Sequence, residues 1–331
     1  MKGSLIFAFN SVAPIVGVVL IGYLLRRIGF MDADFSKKAN RLVFRVFLPA
    51  MLFLNVYRIE DIGSVDLTYA LYAVAAVVVI FLIFLPLIPL VTKDEGRRGA
   101  LMQSVVRSNY ALVGIPLAAS LFGESGELVA TVLSAVMIPV FNILAVVALS
   151  VYRGKGEPLG KRLLGVVIGI VKNPLILSIA AGFAVLGIRA VFAELGIGFR
   201  LSDLDFLMKI LNYMSAVATP LALLVLGSQF EFSYVGGVRR ELVFGLAVRS
   251  VLVPFIGIAS AYLIFGDRFG GGEYAALVAV FCTPVAVSSV PMAQEMGADA
   301  SLAGQLVLFS TLTSAVTVFV CSFILREIGV F

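Results

Sequence analysis

The chain alternates long apolar runs with short polar clusters, and the runs recur at one length. They fall at about 5–25, 39–57, 67–91, 99–122, 127–151, 163–187, 205–229, 241–265, 273–296 and 301–325. A hydrocarbon core about 30 Å thick takes about 20 helical residues at 1.5 Å each, so the pattern predicts ten transmembrane helices. The sixth run is the least regular. Gly160 to Lys172 also reads as an interfacial amphipathic helix feeding a shorter span at Asn173-Pro174. The expected fold class is an all-α polytopic membrane protein forming one membrane domain.

Two runs carry residues that a purely lipid-spanning helix avoids. The fourth contains Arg107-Ser108-Asn109-Tyr110-Ala111-Leu112-Val113-Gly114-Ile115-Pro116, and the ninth contains Thr283-Pro284-Val285-Ala286-Val287-Ser288-Ser289-Val290-Pro291. Backbone groups freed in hydrocarbon cost several kcal/mol each, so such breaks persist only where they line a protein-built site. Paired breaks in matching positions of two halves point to a transporter's binding site.

The halves correspond elsewhere too. Pro14 and Gly22 in the first run are spaced like Pro174 and Gly182 in the sixth, and Pro49-Ala50-Met51-Leu52 resembles Pro220-Leu221-Ala222-Leu223. Five spans per half is an odd number, so repeats over 1–152 and 160–331 should be inverted, with the site where the two breaks meet.

Composition sharpens this picture. Hydrophobic residues make up 61% of the chain and charged residues 14%, far from a soluble domain's balance. Histidine is absent, which removes the commonest metal ligand and near-neutral proton relay. Cys282 and Cys321 lie in apolar runs and read as free thiols, so no metal site or other cofactor is expected. The first run has full spanning length, unlike a cleavable leader.

Charge placement sets an orientation. Arg26, Arg27, Lys37, Lys38, Lys93, Arg97, Arg98, Arg153, Lys155, Lys161, Arg162, Arg239 and Arg240 gather on one side of a ten-span topology. The other side has Lys2, Arg58, Arg189, Arg200, Arg268 and Arg326, diluted by Glu60, Asp61, Asp66, Glu124, Glu127 and Glu194. The positive-inside rule makes the first side cytoplasmic and places both termini outside, as expected of a plasma-membrane protein. Nucleic acid is not an expected partner.

Candidate chemistry concentrates at the two breaks. Arg107 lies roughly 12 Å into the bilayer and either snorkels or faces a cavity as a counter-charge. Pro116, with Gly114 before it, suits the first turn of a new half-helix that aims free N–H groups at the membrane centre, and Pro291 should do the same from the other side. Pro284 marks the second break. Facing positive helix ends form a site for an anion, most simply a carboxylate. Asn109 is placed to cap a half-helix and to touch substrate, two compatible roles, and Ser108, Tyr110, Thr283, Ser288 and Ser289 are its neighbours. Asn142 is placed to bond the first break. Ser310, Thr311, Thr313 and Ser314 stand in the symmetric place, although such hydroxyls often bond their own helix. Gln103, Gln294 and Gln305 are weaker candidates. Arg249 should pair with Glu231 or Glu241, or snorkel. No carboxylate lies deep in the chain to carry a proton or hold sodium, so the coupling ion, sodium or proton, stays open.

These motifs resemble the auxin efflux carrier family, which includes plant auxin exporters and bacterial relatives often labelled malate permeases. The resemblance lies in Asn109, Gly114 and Pro116, in Leu48-Pro49-Ala50, and in Ile138-Pro139 with Asn142. It continues in Lys172-Asn173-Pro174, in Thr219-Pro220-Leu221-Ala222 with Gly227, and in Ser310-Thr311-Leu312-Thr313-Ser314. It implies a ten-span inverted-repeat fold shared distantly with bile acid/sodium symporters, in which broken helices 4 and 9 cross at the substrate site with Asn109 and the region of Pro284 nearest the ligand. Spans 1, 2, 6 and 7 (about 5–57 and 163–229) would be a scaffold, and spans 3–5 and 8–10 (about 67–151 and 241–325) a moving transport part. The resemblance also implies elevator-like transport and a homodimer through spans 2 and 7. The chain departs from it by lacking a long central loop, by Pro284 where a second asparagine could face Asn109, and by Arg107. The function expected is transport of a small organic anion, a dicarboxylate or an aromatic or indole-type acid. The alternative is a sodium- or proton-coupled importer of the symporter type. An enzyme is not expected, because the breaks hold no nucleophile–base arrangement.

Overall fold

The computed structural model describes residues 2–59, 67–152, 159–231 and 233–331. Glu60, Asp61, Asp66, Arg153 and Lys155 lie outside the described residues, as do the side chains of Lys2, Lys161 and Arg162. The described elements are helical: α1 (Lys2–Arg27), α2 (Ala33–Tyr57), α3 (Leu67–Val91), α4 (Glu95–Val106), α5 (Tyr110–Val151) and α6 (Leu159–Val171). There follow α7 (Pro174–Glu194), α8 (Asp205–Ser228), α9 (Arg239–Phe265), α10 (Gly271–Phe281), α11 (Ser289–Glu295) and α12 (Ala300–Glu327). Among the described residues, 7 helices are long and apolar enough to cross a membrane: α2, α3, α5, α7, α8, α9 and α12.

Several starts follow from single capping side chains, which satisfy N–H groups that the helix itself cannot. Asp32, Asp94 and Asp299 accept from the backbone N–H of Phe35, Arg97 and Leu302 at 2.6, 2.8 and 2.8 Å. Asn173 accepts from Leu175 at 2.9 Å, with Pro174 as the first helical residue of α7. The sixth run is therefore two helices meeting at Asn173, not one span over 163–187. The fourth and fifth runs differ too: α5 continues through both, bent where Phe122 and Gly123 leave helical geometry. Gly123 has φ of 60° there, a conformation that glycine adopts without Cβ strain.

Three prolines share one local device. Pro49, Pro116 and Pro254 each follow a five-residue π turn, at Val43–Phe47, Tyr110–Gly114 and Val248–Leu252. The residue before each proline donates five positions back, Leu48 to Val43, Ile115 to Tyr110 and Val253 to Val248. Proline has no N–H and its ring crowds the carbonyl four residues earlier, and widening the preceding turn relieves that clash without ending the helix. Pro116 thus does not begin a half-helix. The helix resumes earlier, at Tyr110, with Asn109 as its cap residue.

Small residues set the tightest crossings. A Cβ on Gly227 of α8 would sit 1.9 Å from Val19 O of α1, and one on Gly22 would sit 2.1 Å from Leu224 O. Without those side chains, the two helices pack backbone to backbone. Gly182 of α7 makes room for the Val56 side chain of α2, whose Cβ would lie 2.7 Å from an added Cβ. Helices α1, α2, α7 and α8 form one packed group, while α4 and α10 pack along α5 and α12 covers α4 and α11.

Candidate functional site

Helix α4 stops at Val106 and α5 begins at Tyr110, leaving Arg107 to Asn109 in extended or irregular backbone. Helix α10 stops at Phe281 and α11 begins at Ser289. The two gaps cross and satisfy each other. Asn109 N donates to Pro284 O at 2.9 Å, and Ala286 N donates to Arg107 O at 3.1 Å, so Ser108 and Val285 form an antiparallel bridge. Val285 N donates to Ser310 Oγ of α12 at 3.0 Å. Backbone groups released by each break are thus paired inside the protein, which lets both breaks persist at depth.

Arg107 points into this crossing and is 3% exposed, so it does not reach the surface. Its Nη2 donates to Asn142 Oδ1 at 2.8 Å and to Ser288 Oγ at 2.9 Å, and Nη1 lies against Met292 Sδ. Asn142 is held in turn by its own helix, Nδ2 donating to Ile138 O at 2.8 Å. The Asn109 side chain is buried, and its Nδ2 meets no acceptor among the described residues.

These groups border a cavity of about 70 Å³. Its polar wall holds Arg107, Ser108, Asn109, Tyr110, Asn142 and Ser288. The opposite wall comes from α2 and α8, chiefly Leu48, Met51, Leu52, Ala218 and Ala222, with Asn55 and Thr219 among them. Among the described residues, no aspartate or glutamate lines it.

The other candidates lie off this cavity. Thr283 sits behind Ser108, the two hydroxyls bonded to each other, and its Oγ1 also donates to Ala279 O at 2.8 Å. Gly114 is a packing position, where a Cβ would come within 3.2 Å of Ala279. Ser289 is buried with no partner on its Oγ among the described residues. Ser310 holds the second break through its backbone, while Thr311 and Ser314 donate to Val307 O and Thr311 O of their own helix. Pro284 lies within the second break, and Pro291 lies in the first turn of α11. Gln294 accepts from Gln229, and Gln305 donates to Glu231 O, away from the crossing.

Sequence reasoning did not single out Asn55, an amide near the end of the second apolar run, nor Thr219 as a lining residue. Arg249 needs a correction. It pairs with neither Glu231 nor Glu241 and does not snorkel, being 2% exposed. It donates instead to the carbonyl oxygens of Thr283, Val280 and Val105.

Residues 7–322 match the family described as membrane transport protein. Over 315 residues the chain is 21% identical to an uncharacterized transporter of Methanothermobacter thermautotrophicus, covering 93% of this chain and 95% of that protein. Over 216 residues it is 23% identical to an uncharacterized transporter of Methanocaldococcus jannaschii, covering 63% of this chain and 65% of that one. The chain belongs to the membrane transport protein family, that of the auxin efflux carriers its motifs resemble. It is a multi-pass membrane transporter, not an enzyme.

Proposed function

We propose that this transporter carries a small organic anion, a carboxylic acid, held where the two breaks cross. One observation carries the reading. Arg107 is a buried guanidinium whose partners among the described residues are neutral, bordering a cavity that no described acidic residue lines. A buried charge left uncompensated costs several kcal/mol, and a bound carboxylate would offset that cost with charge-assisted hydrogen bonds. The unpartnered Asn109 amide and the N-terminal end of α5 add donors on the same wall. The apolar residues opposite suit the hydrocarbon part of such an acid.

The same reading takes the chain as ten spans in two inverted five-span repeats. The helices that supply them are α1, α2, α3, α4 with the first arm of α5, and the second arm of α5. In the second half they are α7, α8, α9, α10 with α11, and α12. The cavity lies on the seam between the group α1, α2, α7, α8 and the remaining helices, which supports elevator-type alternating access with that group as scaffold. A homodimer through spans 2 and 7 fits the outward apolar face of α8, where Phe206, Ile210 and Tyr213 are exposed. Both termini would face outward across the plasma membrane.

The test is thermal unfolding of the purified protein against acetate, malate, benzoate and indole-3-acetate, repeated with Arg107→Gln and Asn109→Ala. A ligand that binds the folded state raises the midpoint saturably. Loss of a charged hydrogen bond worth about 1.5–3 kcal/mol weakens binding roughly ten- to hundredfold, so Arg107→Gln should need correspondingly more acid. Undiminished carboxylate binding by Arg107→Gln would overturn the assignment.

A further inference from the structure

A second buried arginine, Arg249, lies on the far side of the crossing from the cavity and takes no part in it. Its surroundings are backbone carbonyls. Nε and Nη2 both donate to Thr283 O, at 3.0 and 2.7 Å, Nη2 also reaches Val280 O at 3.4 Å, and Nη1 reaches Val105 O at 3.3 Å. Val105 lies in the last turn of α4, Val280 lies in the last turn of α10, and Thr283 follows directly in the second break. All three nitrogens of one guanidinium are therefore engaged by the C-terminal ends of both interrupted helices. Arg249 forms no ion pair among the described residues, whose salt bridges lie at Lys38–Asp34, Arg41 and Arg45 with Glu295, and Arg97 with Glu241 and Asp299.

The charges balance without a carboxylate. Each helix C-terminus carries about half a negative charge, so two converging ends amount to about one. One guanidinium offsets that. Carbonyls at the ends of interrupted helices are also the groups that coordinate a coupling cation in transporters built this way. Here the position is filled by a side chain from a third helix, α9.

We propose that Arg249 occupies, as a tethered cation, the position that a monovalent coupling ion would otherwise take, so transport by this protein needs no sodium gradient. Removing the side chain leaves the carbonyls of Val105, Val280 and Thr283 facing an uncompensated hole, which a small cation fills. The inference rests on the breaks forming the transport site. Its probe is a cation at Arg249, and the carboxylate probe at Arg107 reads a separate outcome, so either can fail alone.

The experiment is thermal unfolding of purified native protein and Arg249→Ala in sodium, potassium, choline or low-millimolar guanidinium chloride. The native midpoint is expected to be the same in all four. The variant's midpoint in choline should fall by roughly 5–10 °C. Sodium or guanidinium should recover at least half of that loss, saturably, and choline should not. A native protein stabilised saturably by sodium overturns the proposal. So does a variant as stable as native in choline, or one destabilised with no recovery by any of the small cations. If Arg249→Ala does not survive purification, Arg249→Lys decides, because it keeps the charge and loses the fork. A sodium-indifferent Arg249→Lys with a midpoint near native supports the tethered cation, and a variant that is lost like Arg249→Ala assigns the site to fork geometry alone.

Discussion

Arg107, in the first break, and Asn142, within α5, are joined by a hydrogen bond of 2.8 Å from Nη2 to Oδ1. Asn142 is anchored by its own bond to Ile138 O, so its oxygen is held facing the guanidinium. A fixed neutral acceptor orients Arg107 without cancelling its charge, which leaves the charge available to an anion.

Replacing Asn142 by leucine should therefore weaken carboxylate binding while the protein still folds. The lost acceptor is worth about 1.5–3 kcal/mol to a charged donor, or roughly ten- to hundredfold in affinity. Isothermal titration of the variant with the acid that most stabilises the native protein checks this. Asn142→Asp should weaken binding further, because a carboxylate paired with Arg107 competes with the substrate.

Gly227→Ala should destabilise the protein without touching the cavity. The added methyl meets Val19 O at 1.9 Å, a backbone atom with little room to retreat, so α1 and α8 must separate. Overpacking of this kind costs about 1–3 kcal/mol, read as a fall in unfolding midpoint with carboxylate affinity within about twofold of native for the folded fraction.

Glu295 at the end of α11 lies 3.7 Å from Arg41 Nε and 3.6 Å from Arg45 Nε, tying the second break's helix to α2. The two arginine side chains are 54% and 66% exposed. Screened pairs of this sort contribute less than about 1 kcal/mol, so Glu295→Gln should leave stability and affinity nearly unchanged. If α11 moves past α2 during transport, the variant's exchange rate changes while its binding constant does not, and proteoliposome flux measured beside equilibrium binding separates the two.

Tyr234, between α8 and α9, predicts a loss of stability at high pH. Burial, and then the hydrogen bond and charge of Asp299, push its phenol up to about 12. A pKa raised above the unfolded value of about 10 means the neutral form favours the fold. That contribution is complete below about pH 10 and is lost as pH rises through the folded value. Tyr234→Phe should flatten the stability curve between about pH 10 and 12, as followed by unfolding midpoints across that range.

Much of the architecture is legible along the chain because its causes are local. Apolar runs of spanning length, the Asn173-Pro174 junction, and the two polar interruptions around Asn109 and Pro284 can each be read from a dozen neighbours. Membership in a transporter family is carried by the same local motifs. Proline was less transparent. Pro116 reads as the start of a helix and instead sits beyond a π turn, because a helix can absorb a missing N–H by widening as well as by ending.

What only the tertiary structure decided is which distant groups meet. No periodicity announces that Ser108 pairs with Val285, that Thr283 backs the crossing while Ser288 faces it, or that Asn55 and Thr219 complete the far wall. Arg249 shows the reason most clearly. The sequence offers it a carboxylate partner or a path to the membrane surface, yet two helix ends brought together from far apart present about one negative charge through backbone carbonyls alone, and that charge exists only once the chain has folded.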